Sequence, residues 1–180
     1  IIAAICFNVG IVNMPNDYQQ VKMQVSFDVK CDAEGTIQLF YGVDSQFSEV
    51  DSIRFTYDNK GEYQHFIGEV AYPNCWFRWD FPEECENVEL NNIEITNGER
   101  TDCLHANFFQ NADNNDISKI YHENDIIYIS VDGEDSWIAT NDAIELDKLI
   151  TEKDMQNALI TKVVYCIVLD LILLLGFIFS

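Results

Sequence analysis

One short segment of the chain combines aromatic rings, a guanidinium group and a carboxylate in alternation, and it reads WFRWDF over residues 76–81. If the segment is a β-strand, its period of two buries three rings and presents Trp76, Arg78 and Asp80 on the opposite face. An aromatic ring stacks on the C–H face of a sugar, and planar polar groups hydrogen-bond its hydroxyls. The pattern therefore predicts a sugar-binding strand. The alternative is that Arg78 and Asp80 pair with each other while Trp76 covers a hydrophobic rim.

A second polar cluster, DNND at 113–116, offers hard oxygen ligands of the kind that calcium prefers. We predict Asp113, Asn115 and Asp116 as candidate ligands of a structural calcium ion. The segment departs from the EF-hand pattern, because Ser118 stands at the glycine position and Asn124 stands where a glutamate is needed. A solvated polar loop is therefore the alternative interpretation.

Neighbouring acidic residues occur along the chain, as at 83–84 and 132–135. Two facing carboxylates can hydrolyse a glycoside, but among 31 acidic residues close pairs arise by chance. The histidines at 65, 105 and 122 are scattered, and the sequence contains no nucleophile elbow, P-loop or zinc-protease motif. We therefore predict no catalytic residue and keep a glycoside-processing enzyme only as a third hypothesis.

The charge of the chain restricts its partners. The formal net charge is -21, and nearly all of it lies between the apolar ends. Such a surface repels phosphate backbones, so we do not expect the chain to bind nucleic acid. A hydrophobic content of 48% with 13% aromatic residues is nevertheless enough to build a folded core.

Four cysteines lie in the central part of the chain, at Cys31, Cys75, Cys85 and Cys103. They allow three pairings, of which a Cys75–Cys85 bridge across a short loop is the easiest to form. The interpretation we favour is that all four are free and act as small buried hydrophobes.

The elements that would position these residues are predominantly strands. Alternating patterns predict strands at 21–29, 36–41 and 53–57, a turn at 58–61 and a return strand of a hairpin at 62–70. A phase slip at Asn91-Asn92 predicts a β-bulge. Many short strands without helices between them indicate an all-β, antiparallel β-sandwich of the jelly-roll or galactose-binding-like kind.

The last part of the chain predicts a transmembrane helix. Residues 163–179 are almost entirely apolar, and Thr151 with Asp154 is placed to cap the start of the helix. We therefore expect three regions. Residues 1–12 are the end of a membrane helix or a signal segment, residues 13–150 form the β-sandwich, and residues 151–180 form the membrane helix with its lead-in. Asp170 in mid-span is expected to face other transmembrane helices of a larger protein or a polar cavity.

Four stretches of this sequence carry a resemblance to a known family. They are GTIQLFY at 35–41, FSE at 47–49, CWFRWDFP at 75–82 and VELNNIEI at 88–95. Residues 18–138 are similar to the extracytoplasmic β-sandwich of bacterial polytopic membrane proteins of cell-surface polysaccharide assembly, the glycosyltransferase and sugar-translocase family. The chain departs from the family pattern where Phe81 separates Asp80 from Pro82 and where Ser136 replaces a proline. The resemblance implies fold and setting rather than activity, since transfer chemistry in that family belongs to other parts of the protein.

The expectation from residues and resemblance together is a non-catalytic, carbohydrate-binding-like domain held on the extracytoplasmic face of a cell membrane. Its partners would be a glycan or a lipid-linked sugar, the membrane, and further transmembrane helices. The alternative is a structural or protein-interaction ectodomain, of the sensor or adhesin type, without glycan binding.

Overall fold

The computed structural model describes residues 22–71, 76–109, 112–144 and 150–178. The chain forms two compact units: Val21–Leu149, and a second unit that contains the C-terminal helix. The predicted apolar segment 1–12 and Cys75 lie outside the described residues.

Within the described residues the first unit contains eleven strands and one short 3-10 helix. The strands are β1 (Lys22–Cys31), β2 (Gly35–Gly42), β3 (Ser52–Tyr57), β4 (Gln64–Ala71), β5 (Trp76–Asp80), β6 (Asn87–Thr96), β7 (Thr101–Leu104), β8 (Asn114–Asn115), β9 (Ile117–Glu123), β10 (Ile126–Val131) and β11 (Trp137–Ala139). The 3-10 helix spans Ala106–Phe109. The edge strand β9 was not predicted.

The strands form two antiparallel sheets. The larger has the order β4-β1-β6-β10-β9, with β7 paired to β6, and the smaller has the order β3-β2-β5-β11-β8. Their inner faces meet through aromatic rings. The ring centre of Phe27, in the larger sheet, lies 5.4 Å from that of Phe55 and 6.0 Å from that of Trp79, both in the smaller sheet, and both contacts are edge-on. The predicted all-β, antiparallel sandwich is therefore confirmed.

The alternating pattern of β1 shows why these residues form strands. Its four apolar side chains from Met23 to Val29 are fully buried, and the intervening polar residues face outward. Burial of one face at every second residue fixes the register, because a slip of one residue would turn the whole apolar set to water.

The predicted hairpin between β3 and β4 is wrong. Strand β3 pairs with β2, whereas β4 pairs with β1 in the other sheet. The turn at 58–61 therefore carries the chain from one sheet to the other. The two strands meet face to face rather than edge to edge, and Gly68 lies directly against Ile53 and Phe55. A side chain at Gly68 would prevent this close approach.

The predicted bulge at Asn91-Asn92 is confirmed. The register between β1 and β6 shifts here, so that two residues of β6 oppose Phe27. Asn92 adopts a positive φ of 48°, and its side-chain amide donates to Asp28 at 2.7 Å. The bulge increases the local twist of the larger sheet.

The second unit contains helix α1, Glu152–Ile178, and its capping matches the prediction. The Asp154 carboxylate accepts hydrogen bonds from the Thr151 amide at 2.9 Å and hydroxyl at 2.7 Å, and the Asp154 amide donates to the Thr151 hydroxyl. With 27 residues the helix is about 40 Å long. Its length and composition are sufficient to cross a membrane.

Candidate ligand-binding face

Strand β5 carries the three residues predicted to bind a ligand. Phe77 and Trp79 point into the sandwich and are fully buried. Trp76, Arg78 and Asp80 are half-buried on the outer face of the smaller sheet, as the alternation predicts. Trp76 lies at the far end of the strand from Asp80, about 13 Å away at the usual strand rise. The three residues therefore share a face without forming one compact site.

Arg78 and Asp80 form a bidentate ion pair, with Nε to Oδ1 and Nη2 to Oδ2 both at 2.6 Å. The guanidinium carbon lies 4.8 Å from the centre of the Phe40 ring and 4.6 Å from that of Trp137. Burial raises the pKa of the Asp80 carboxyl, and the Arg78 guanidinium opposes that rise. The pair thus links β2, β5 and β11, and it leaves Arg78 little capacity for a ligand.

Strand register places a row of side chains across all five strands of this sheet. Gln38 of β2 lies opposite Asp80 and opposite Arg54 of β3. On the other side Trp137 lies opposite Asp80 and opposite Asn115 of β8. Directly opposed residues share a face. The outer face therefore holds amide, carboxylate, guanidinium and indole groups in one line.

One end of this row opens into a cleft of about 420 Å³ beside β2 and β5. Its charged and amide side chains are those of Glu34, Gln38, Arg54, Asp80, Glu83 and Glu84. The Gln38 amide donates to Glu49 and to Ser52, both at 2.9 Å. Arg54 also pairs with Glu49, at 3.1 Å. The cleft therefore presents an oriented amide and a guanidinium among several carboxylates.

Gln38, Arg54 and Trp137 were not predicted as site residues. The alternation of β2 and β3 places Gln38 and Arg54 outward, but only the pairing of the strands brings them to Asp80. Trp137 lies in a strand of three residues, too short for a periodic signal. Register between distant segments is the missing information in each case.

The three predicted calcium ligands lie along one edge of the smaller sheet, where two of them contact the turn before β11. The Asp116 carboxylate accepts the Asp135 amide at 3.1 Å, and the Asn115 amide donates to the Asp135 carbonyl at 2.7 Å. Asp113 is exposed. In the part of the chain that the structure describes, no three acidic, histidine or cysteine side chains converge as a metal site would require. Calcium at this edge remains a prediction.

The outer face of the larger sheet also carries aromatic rings, and these contact neighbouring side chains of the same face. Tyr121 and Tyr128 stack in parallel with centres 4.8 Å apart, and the Lys119 ammonium lies 4.6 Å from the Tyr121 ring. The carboxylate of Glu89, which lies opposite Tyr128, forms an ion pair with the Lys30 ammonium at 2.7 Å. The smaller sheet is therefore the better candidate for binding a ligand.

The cysteines do not pair in the way that was easiest to expect. Cys85 is a free thiol, which contradicts the alternative of a Cys75–Cys85 bridge. Cys31 and Cys85 are buried and free, in agreement with the favoured interpretation, while Cys103 is free but exposed.

The chain matches no protein-family model, no curated protein and no solved structure at a significant level. The geometry of the outer face is therefore the basis for a functional argument.

Proposed function

We propose that this chain is a membrane-anchored, non-catalytic domain that binds a glycan on the outer face of its smaller sheet. The observation that carries the proposal is the row in which Gln38 faces Asp80 and both line an open cleft. Planar amide and carboxylate groups at fixed spacing suit the vicinal hydroxyls of a sugar. The volume of about 420 Å³ lies in the range of small-molecule sites.

The charge of the cleft restricts which glycan it would take. Glu34, Glu83 and Glu84 line it together with Asp80, and Arg54 is the one basic residue among the lining residues that the structure describes. Carboxylates at close range repel phosphate and uronate groups. The preferred ligand is therefore a neutral sugar, and the phosphate of a lipid-linked sugar would lie outside the cleft.

The wider setting rests on the fold and on the resemblance to polysaccharide-assembly proteins. Neighbouring strands β4-β1-β6-β10 in one sheet and β3-β2-β5-β11 in the other follow the alternation of an eight-stranded jelly roll, and this order supports a galactose-binding-like fold. Helix α1 supports attachment to a membrane. Placement on the extracytoplasmic face of a multi-span bacterial protein of glycan assembly follows from the resemblance alone.

The proposal is tested with the full chain in lipid nanodiscs that contain no glycolipid, screened on a glycan array with and without calcium. Arg54→Ala is the site variant and Lys22→Ala its control. Each removes one exposed cation from an ion pair with a glutamate, but only Arg54 lines the cleft. We expect Arg54→Ala to weaken binding at least about tenfold and Lys22→Ala to leave it unchanged.

Three outcomes separate the possibilities. Equal loss in both variants would indicate a charge effect and contradict the site. Loss in Trp76→Ala but not in Arg54→Ala would move the site to the other end of β5. No binding to any glycan by a folded protein would overturn the proposal.

The second candidate is a protein-interaction ectodomain, and one observation favours it. Among the described residues β9 pairs only with β10, so its other edge is open. A cleft of about 380 Å³ beside it is floored by Phe109, Ile117 and Ile120. An open edge beside a cleft that contains apolar side chains suits an added peptide strand. A proline in place of Ser118 or Ile120 would abolish such docking and leave glycan binding intact.

A further inference from the structure

Cys31 and Cys85 are far apart in sequence but lie together in the sandwich. Cys31 ends β1, and Cys85 lies in the loop between β5 and β6. Their exposed fractions are 1% and 3%. Neither thiol belongs to the proposed glycan site, which lies on the outer face of the smaller sheet.

The loop that carries Cys85 is fastened to the end of β1 by several hydrogen bonds. The Asp32 carboxylate accepts the Glu86 amide at 2.9 Å and the Asn87 amide at 3.1 Å. The Cys85 sulfur itself lies 3.3 Å from Asp32 Oδ1. These hydrogen bonds hold Cys85 beside the end of β1 in the folded domain.

Cys31 is held equally firmly from its other side. The Tyr57 hydroxyl bonds to both the amide and the carbonyl of Cys31, each at 3.0 Å. The pairing of β1 with β6 sets Cys31 opposite Val88, three residues after Cys85, so the two buried thiols lie at neighbouring segments of the sandwich. A disulfide joins cysteines whose Cα atoms lie roughly 4.4–6.8 Å apart, a distance within reach of two segments that are held together by direct hydrogen bonds.

The interaction between the two thiols makes them unequal. It raises the pKa of Cys31, which burial raises further, and it lowers the pKa of Cys85. Cys85 is thus the sulfur that ionises first, and the thiolate is the nucleophile in disulfide exchange.

We propose that Cys31 and Cys85 form a disulfide that ties the end of β1 to the β5–β6 loop when the chain meets an oxidising disulfide such as oxidised glutathione. The Cys85 thiolate attacks one glutathione sulfur, forms a mixed disulfide and releases one glutathione thiolate. That thiolate takes the Cys31 proton, and the Cys31 sulfur then attacks the Cys85 sulfur and displaces the second glutathione. The two cysteines lose two electrons and two protons, and the glutathione disulfide gains them.

Both sulfurs are buried in the folded domain, so the exchange takes place during folding or when the 82–86 loop opens. The exchange uses no residue of the glycan cleft, although Glu83 and Glu84 of the cleft belong to the same loop as Cys85. Its use in the cell rests on the proposed extracytoplasmic placement, since disulfides persist in oxidising compartments.

The test uses the full chain in detergent micelles, refolded with either oxidised glutathione or dithiothreitol. Free thiols are then alkylated under denaturing conditions, and the digested peptides are mapped by mass spectrometry. We expect a linked Cys31–Cys85 peptide only after oxidation, lighter by two hydrogens than its two parts. The matched variants are Cys103→Ser, which keeps the linked peptide, and Cys85→Ser, which loses it.

The wild-type chain alone decides the proposal, so misfolding of a variant does not obscure the result. Alkylation of both thiols after oxidative refolding would overturn it, as would a Cys85 linked to Cys75 or left as a glutathione adduct. Glycan binding is measured on the same oxidised preparation. Absence of glycan binding in both the oxidised and the reduced preparation, with the linkage present after oxidation, contradicts only the proposed function, and binding without the linkage contradicts only the disulfide.

Discussion

Arg78 and Asp80 stand two positions apart on one strand and hold each other through two parallel hydrogen bonds of 2.6 Å. The guanidinium of Arg78 is at the same time enclosed between the rings of Phe40 and Trp137. Side chains from β2, β5 and β11 thereby contact the same guanidinium group. The consequence is that Asp80 acts both as the anchor of this group and as one wall of the cleft.

The first prediction concerns the stability that this pair provides. In Asp80→Asn the guanidinium keeps its position but loses its counter-charge while its side chain is only 22% exposed. We expect the free energy of unfolding to fall by about 1–3 kcal/mol. The measurement is denaturant unfolding of the full chain in micelles. The control is Glu49→Gln, which breaks the exposed pair with Arg54 and should cost within about 0.5 kcal/mol. Equal losses in both variants would show that burial of the Arg78–Asp80 pair contributes nothing.

The sequence predicts which side chains are buried in the core better than it predicts which strands pair with each other. The alternation of β1 and β5 predicts correctly which side chains enter the core, because burial of one face imposes a period of two. The bulge at Asn91-Asn92 and the cap at Thr151 are also local, and both were predicted. Assignment of strands to sheets is not local. Strand β4 follows β3 after a short turn, as in a hairpin, yet it pairs with β1 instead.

The candidate site illustrates the same limit. Asp80 was predicted from its own strand, but Gln38 and Trp137 reach it only through the order β2-β5-β11. The Cys31–Cys85 contact likewise depends on the pairing of β1 with β6. Spacing along the chain favoured Cys75 as the partner of Cys85, because spacing carries no information about strand order.

The second prediction is a pH dependence that originates at Glu89. Burial alone would raise the pKa of Glu89, but hydrogen bonds from Lys30 and Tyr63 outweigh it and hold that pKa below its usual value. Tyr128, the neighbour from β10, is uncharged in this range. A carboxylate with a lowered folded-state pKa stabilises the fold above its ordinary pKa of about 4.5. That stabilisation is lost as the pH falls through the lower, folded-state value.

Glu89→Gln should therefore lower the free energy of unfolding by roughly 0.5–1.5 kcal/mol at pH 7 and flatten its decline below about pH 4.5. Urea unfolding between pH 3 and 7 gives the comparison, in steps of roughly half a unit across the titration range of a glutamate. The matched variant is Glu69→Gln, which removes the same group from the exposed pair with Lys22. A Glu69→Gln profile as flat as that of Glu89→Gln would assign the effect to overall charge rather than to this pair.

The third prediction concerns the start of helix α1. Thr151→Ala removes the hydroxyl that bonds to both the carboxylate and the amide of Asp154. We expect the first turn of the helix to lose about 0.5–2 kcal/mol of local stability. Hydrogen exchange at the amides of residues 152–155 measures this directly. Thr161→Ala removes a hydroxyl bonded within the same helix, to the Asn157 carbonyl, and should leave those amides unchanged. Faster exchange in both variants would mean that the cap is not responsible.

The last prediction concerns the crossing of β3 and β4 between the sheets. A Cβ atom at Gly68 would overlap the tip of Ile53 and press on the Phe55 ring. We expect Gly68→Ala to lower the free energy of unfolding by about 1–3 kcal/mol, as overpacking does elsewhere. Ile53→Val removes the methyl group at the point of overlap, and alone it should cost about 0.5–1.5 kcal/mol. Because the smaller side chain makes room for the alanine, the double variant should lose less than the sum of the two single changes. Strict additivity in denaturant unfolding would show that Gly68 does not serve the approach of the two strands.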